Sequence, residues 1–233
     1  CLSGFEETGY EVVCGYDIAP GEANAERSDY RQVTLQGRLL QQLQLINPDI
    51  PAATLEQVAL QVAMPETPVL MMNNKVFHQQ LLQGVKVEYK DKKGEAITDY
   101  VQLMDFSNVS NNQFLVVNQF TITGSKGNRR PDVIVFINGL PLAVLELKNP
   151  ADQNADIWQA YQQLQTYKDE IPELFMFNEA LIVSDGLDAR VGSLTANKER
   201  FMPWRVVANE HDKPLFEYFL ETMVKGFFKP DLF

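Results

Sequence analysis

The chain has 233 residues, 45% hydrophobic and 22% charged, a composition that excludes a disordered or collagenous chain and allows one large domain or two small ones. Its 20 basic and 31 acidic residues give a net charge of −11, which argues against bulk-charge binding to nucleic acid but leaves room for a local basic site. No apolar run approaches the ~18–20 residues that span a bilayer, so a membrane protein is excluded.

The first 80 or so residues read mainly as helix and loop. Tyr30 to Ile46 carries Val33, Leu35, Leu39, Leu40, Leu43 and Ile46 at close to helical spacing, and Asn47-Pro48 stops it. Ala53-Thr54 opens a shorter helix through Leu55, Val58, Ala59 and Val62, ended by Pro65. Asn73 or Asn74 caps a third, through Val76, Phe77, Leu81 and Leu82, which closes at Gly84. There the period changes to two. Val85, Val87 and Tyr89 alternate with Lys86, Glu88 and Lys90 before a turn at Asp91-Lys-Lys-Gly94. Strands follow at Ile97–Met104, Phe114–Ile122, Val133–Ile137 and Leu142–Lys148, the last two joined by Asn138-Gly139, a pair that tolerates positive φ and so marks a hairpin. Asp152 caps a long helix to about Asp169, with Ile157, Tyr161 and Leu164 on one face. Ala180–Ser184 is a short apolar strand and Leu215–Val224 a terminal helix.

These elements predict an α/β fold with a mixed sheet, in a single domain over residues 1–233. It has a mainly helical part at 1–83, a sheet and helix at 84–185, and a C-terminal part at 186–233. The strand order is not legible. Two cysteines, Cys1 and Cys14, with His78 and His211, supply neither a disulfide framework nor zinc-ligand spacing, and point to a reducing, cytoplasmic compartment. The chain opens on Cys1 and closes on the apolar Phe233, which suggests a fragment of a longer protein.

The chemistry is concentrated in Arg130-Pro-Asp132-Val-Ile-Val-Phe-Ile-Asn-Gly-Leu-Pro-Leu-Ala-Val-Leu-Glu146-Leu-Lys148. Glu146 and Lys148 are two apart and share a strand face, and the Asn138-Gly139 turn folds the Asp132 strand back beside them. Charges in strands this rich in Val, Ile and Leu are costly unless they are used or paired. Two carboxylates can hold a hard divalent cation such as Mg²⁺, and an adjacent ammonium can orient water and offset charge at a phosphodiester. Upstream, Lys126, Arg129 and Arg130 lie on a loop able to contact phosphates. Residues 121–150 hold four basic against two acidic side chains, a net of +2, which leaves −13 for the rest.

Pro131-Asp132, thirteen residues, then Glu146-Leu-Lys148 matches the PD-(D/E)xK nuclease pattern. The fuller string, with Asn138-Gly-Leu-Pro-Leu142 at the hairpin tip and Gln163-Leu-Gln-Thr-Tyr167 on the following helix, resembles the N-terminal nuclease domain of type I restriction endonuclease R subunits. The resemblance implies a restriction-endonuclease-like mixed sheet flanked by helices. It implies an Mg²⁺-dependent endonuclease with Asp132, Glu146 and the Leu147 backbone carbonyl as metal ligands. Lys148 is then the catalytic lysine, and Gln163 and Tyr167 support the active site or the DNA. It also implies double-stranded DNA as substrate, and modification and specificity subunits as partners; nothing in the sequence looks like a base-reading helix, so cleavage itself is expected to be sequence-unspecific. The family's further acidic residue, on a helix before a segment like Gly9-Tyr-Glu11, has no assignable match, since Glu6 and Glu7 stand too near Gly9. No Gly-x-x-x-x-Gly-Lys-Ser/Thr loop occurs; the resemblance implies that ATP-driven translocation belongs to helicase-like domains after the nuclease, in the longer parent. Two other readings compete: a nuclease-like fold serving only as a DNA clamp or docking module, and a stand-alone repair nuclease. The intact Asp132/Glu146/Lys148 set argues against the first, and the fragment-like ends against the second.

Overall fold

The computed structural model describes residues 2–149, 156–206 and 219–233. In chain order the elements are α1 (Leu2–Glu7), β1 (Glu11–Cys14), α2 (Gln36–Ile46), α3 (Ala52–Val62), α4 (Leu70–Gln83), β2 (Val85–Lys90) and β3 (Ala96–Val101). Then come β4 (Phe114–Asn118), β5 (Ile122–Gly124), β6 (Gly127–Arg129), β7 (Val133–Ile137), β8 (Leu140–Leu147), α5 (Ile157–Glu170) and α6 (Pro172–Phe175). The chain ends with β9 (Ala180–Ser184), β10 (Ala189–Gly192), β11 (Met202–Pro203) and α7 (Phe219–Thr222), which runs into a π-helical turn at Met223–Phe227.

Among the described residues a seven-stranded mixed sheet has the order β1-β4-β7-β8-β9-β10-β11. β1 runs parallel to β4 and β8 parallel to β9, while β7 runs antiparallel to both of its neighbours, β4 and β8. The pairs β2–β3 and β5–β6 form separate hairpins. The central strands are buried on both faces, and their alternation divides two cores. Ile134, Phe136, Leu142, Val144, Leu181 and Val183 pack toward α2 to α5, in a core that includes Leu39, Leu55, Phe77 and Leu164. Val133, Val135, Ala143, Leu145, Ala180 and Ile182 pack with Phe5, Met223, Val224 and Phe228 on the other side. Each of the larger side chains among these, Val, Leu, Ile, Phe or Met, contributes about 1.5–3 kcal/mol on burial, so a charged residue in this frame is conspicuous. Among the described residues no helix is long and apolar enough to cross a membrane.

The β7–β8 turn is the tight hairpin that the sequence predicts. Asn138 (φ 53°) and Gly139 (φ 79°) take left-handed conformations between the paired Ile137 and Leu140. A Cβ on Gly139 would come within 2.5 Å of the Leu35 carbonyl oxygen. Asn138 is fully buried: its Oδ1 accepts from the Gln113 amide at 2.8 Å, and its Nδ2 donates to the Leu103 carbonyl at 3.0 Å and Asn112 Oδ1 at 2.9 Å. Asn138→Ala strands those partners in the interior and should cost about 3 kcal/mol, or roughly 6–12 °C in Tm. Thermal unfolding of the variant checks this; a change under about 2 °C would contradict it.

Several expected boundaries move, each for a tertiary reason. The first long helix starts at Gln36 rather than Tyr30. The Gln32 carbonyl is taken by the buried Arg27 at 3.0 Å, and the Leu35 amide by the Gly139 carbonyl at 2.9 Å. Asn73 and Asn74 lie inside α4 and do not cap it. Asn73 holds the turn before the helix, accepting from the Glu66 and Thr67 amides, and Asn74 donates to the Met176 and Asn178 carbonyls. The strand expected to reach Met104 stops at Val101 because Asn47 takes both backbone groups of Gln102, at 2.8 and 2.9 Å. The strand expected over Phe114–Ile122 breaks at Gln119, whose φ is 58°. Residues 126–130 are not an open loop, since Gly127–Arg129 pairs with Ile122–Gly124. The expected cap Asp152, together with Cys1, His211 and the start of the terminal helix, lies outside the described residues. α5 is capped by Asp156, which accepts from the Trp158 amide at 3.0 Å.

Candidate active site

Three neighbouring strands bring the charged residues together at one end of the sheet. Val133 pairs with Leu145, so Asp132 falls opposite Glu146, and Asn118 pairs with Val133, so Gln119 falls opposite Asp132. Strand parity puts Asp132, Glu146 and Lys148 on the face of Ile134 and Val144, toward α5. Leu147 points to the opposite core, while its amide donates to Asp132 Oδ2 at 2.7 Å and fixes that carboxylate. Lys148 is held in line by its own amide, which donates to the Ser184 carbonyl of β9 at 2.7 Å.

Glu146 is 2% exposed, and only one of its oxygens is paired: Oε1 accepts from Lys148 Nζ at 3.1 Å. Oε2 is buried with no hydrogen-bond partner among the described residues. Burial, then the charge of Asp132, raises the Glu146 carboxyl to about 7, outweighing the opposing Lys148 ammonium. An orphaned buried oxygen beside a second carboxylate is an acceptor set that a divalent cation would satisfy. Among the described residues no group of three or more His, Cys, Asp or Glu side chains could hold a metal, so such an ion would keep much of its shell as water. Cys14 lies at the end of β1, and His78 pairs with Glu179 at 2.8 Å, so neither joins this site.

α5 closes the site from the same face. Lys148 Nζ donates to Gln163 Oε1 at 3.1 Å, Gln163 Nε2 donates to Tyr167 Oη at 2.7 Å, and Tyr167 Oη lies 3.5 Å from the Arg130 carbonyl. Residues i and i+4 share a helix side, which is why a Gln and a Tyr four apart form one relay. Burial, with Glu146 next, pushes the Tyr167 hydroxyl up to about 12, so it stays a neutral donor. Arg129 pairs with Glu170 at the end of α5, which holds the Glu170 carboxyl low. A pocket of about 340 Å³ opens over Asp132 and Lys148, rimmed by Asn118, Gln119, Leu147 and Asn149.

Residues 1–200 match the family model described as the type I restriction enzyme R protein N terminus. The chain belongs to that family. It is 40% identical over 99% of its length to the type I restriction enzyme HindI endonuclease subunit of Haemophilus influenzae, covering 22% of that protein. It is 37% identical over 93% of its length to the putative type I restriction enzyme MjaIXP endonuclease subunit of Methanocaldococcus jannaschii, covering 21% of it. The chain thus spans about a fifth of the length of the curated relatives it matches.

In this R protein N terminus, Asp132, Glu146, Lys148, Gln163 and Tyr167 converge as the sequence expects. The basic residues upstream are more dispersed. Arg129 is tied to Glu170, Arg130 bonds Tyr16 Oη and lies over its ring, and Lys126 sits exposed in the β5–β6 turn. Missed by the sequence reading were Asn118 and Gln119 at the pocket rim, and Trp158 and Lys198 beside α5. Only a break in the β4 pattern before Phe120 and a stripe of glutamines on α5 signalled them.

Proposed function

We propose that the chain is an Mg²⁺-dependent DNA endonuclease centre within the R subunit of a type I restriction enzyme, cutting phosphodiester bonds of unmodified double-stranded DNA. The observation that carries it is the triad itself: two carboxylates opposite each other on adjacent strands, one with an orphaned buried oxygen, and an ammonium 3.1 Å from the second. Asp132, Glu146 and the Leu147 carbonyl would hold the metal. A bound Mg²⁺ would supply Lewis acidity at the phosphate. Lys148 orients the attacking water and offsets negative charge as a P–O bond to that water forms and the P–O ester bond breaks, the water giving up one proton and the departing ester oxygen taking one up. Gln163 fixes the Lys148 ammonium, and Tyr167 fixes the Gln163 amide.

On this reading the longer protein adds an ATP-driven motor, and modification and specificity subunits choose the DNA. The names of the relatives, endonuclease subunits of type I restriction enzymes, support a place in a multi-subunit complex. The reading is tested by incubating supercoiled plasmid with the assembled enzyme, with Mg²⁺ and with chelator. Nicking and linearisation that need the metal are expected; a bound plasmid left intact at every metal concentration favours a docking module instead. Gln163→Ala should slow cleavage about 10–100-fold without abolishing it, because the ammonium stays but loses its orienting acceptor. Gln163→Glu, which keeps an acceptor oxygen at that position, should recover part of the rate.

A further inference from the structure

Gln163, which meets Lys148 at the active site, and Tyr167 also line a groove of about 810 Å³. Its floor is one face of α5: Gln159, Gln162, Gln163 and Thr166 stand at i, i+3, i+4 and i+7, a polar stripe turned away from the buried Ala160 and Leu164. One wall is Asn128, Arg129 and Arg130 from the β5–β6 hairpin and its exit. The other is Lys198, on the helical turn Lys198–Arg200, held over the Trp158 ring at 5.3 Å, with Arg190 at 5.2 Å from the same ring. Arg130 and Lys198 are exposed and make no ion pair among the described residues; Asp156 is the groove's acidic side chain, and it serves as the α5 cap.

Resting on the nuclease reading, we infer that this groove seats the sugar–phosphate backbone of the duplex flanking the scissile bond, with Lys198 and Arg130 as its phosphate-binding walls. Three observations lead there. Cations face each other across a groove in a chain of net charge −11, so the local field is opposite to the global one. The floor consists of uncharged amides and a hydroxyl, which bond phosphate and sugar oxygens without selecting a base, whereas small-molecule sites are mostly apolar. The groove also adjoins the catalytic residues, because Gln163 lines it and accepts from Lys148 Nζ at 3.1 Å. A strand lying along the α5 stripe is thereby led toward Asp132 and Glu146. Trp158, on α5 with Lys198 over its ring, is a built-in reporter; the second tryptophan, Trp204, packs against Phe227.

The test measures binding of an arbitrary 30-base-pair duplex to the 233-residue chain by anisotropy and by tryptophan emission, in chelator. Wild type should bind with a steep salt dependence and a change in emission that Trp158→Phe removes. Lys198→Glu should weaken binding about ten-fold or more at moderate salt, Lys198→Ala should flatten the salt slope by about 0.9, and Lys198→Arg should restore both. Gln162→Glu, which places a negative charge in the uncharged floor, should weaken binding in the same way. A wild-type chain that fails to bind duplex at low salt, or binding indifferent to Lys198→Glu and Gln162→Glu with no change in Trp158 emission, overturns the groove. Metal titration separates the two claims. Groove-dependent binding without any Mg²⁺ response would sink the catalytic assignment alone, and an Mg²⁺ response with groove-indifferent binding would sink the groove alone.

Discussion

Asp132→Asn should erase most of the thermal stabilisation that Mg²⁺ or Mn²⁺ gives the wild-type chain. A cation that binds the folded state stabilises it by mass action, about 1.4 kcal/mol at ten times Kd, which for this size is roughly 3–6 °C. The substitution is chosen so that the fold is spared. An asparagine oxygen can still accept the Leu147 amide that Asp132 Oδ2 accepts at 2.7 Å, and the side chain keeps its volume. What it loses is one of the two negative charges facing the proposed cation. Glu146 alone, with one oxygen engaged by Lys148, is a poor site for a small, strongly hydrated ion. Scanning fluorimetry across a millimolar metal series reads the difference. A wild-type shift that survives intact in the variant would place the metal elsewhere.

Lys148→Ala should lower DNA cleavage by at least about 10³-fold while leaving ATP turnover by the assembled enzyme in place. Among the described residues the ammonium is the one positive group within hydrogen-bond reach of Glu146, and a methyl can neither orient water nor offset charge at phosphorus. Truncation also removes the bonds to Glu146 and Gln163, at about 1–3 kcal/mol, so a lower Tm is expected alongside the catalytic loss. Lys148→Met separates the two effects, since it keeps most of the buried stem. It should fold better than the alanine variant and cut no faster.

Local signals carried the centre of this fold. The Asn138-Gly139 pair needs no tertiary information to turn, and apolar strands around it commit the hairpin that sets Asp132 opposite Glu146. The two-residue spacing of Glu146 and Lys148, and the four-residue spacing of Gln163 and Tyr167, fix faces by strand and helix geometry alone. What was illegible depends on partners distant in sequence. Helical spacing from Tyr30 is overruled by bonds from Arg27 and to Gly139, and Asn47 ends β3 from 55 residues away. The place of β1 beside β4 rests on pairing across about a hundred residues, which no local pattern encodes. Lys198 escaped notice for the same reason: in the sequence it is one exposed lysine, and only packing of its turn against Trp158 makes it a wall of the groove.

The most direct measurement follows plasmid cleavage and ATP turnover side by side for the assembled enzyme carrying wild-type or Lys148→Ala chain. The account predicts linear product with wild type, and intact plasmid with undiminished ATP hydrolysis for the folded variant. Cleavage by a folded Lys148→Ala enzyme at the wild-type rate would contradict it and put the nuclease centre outside the Asp132/Glu146/Lys148 site.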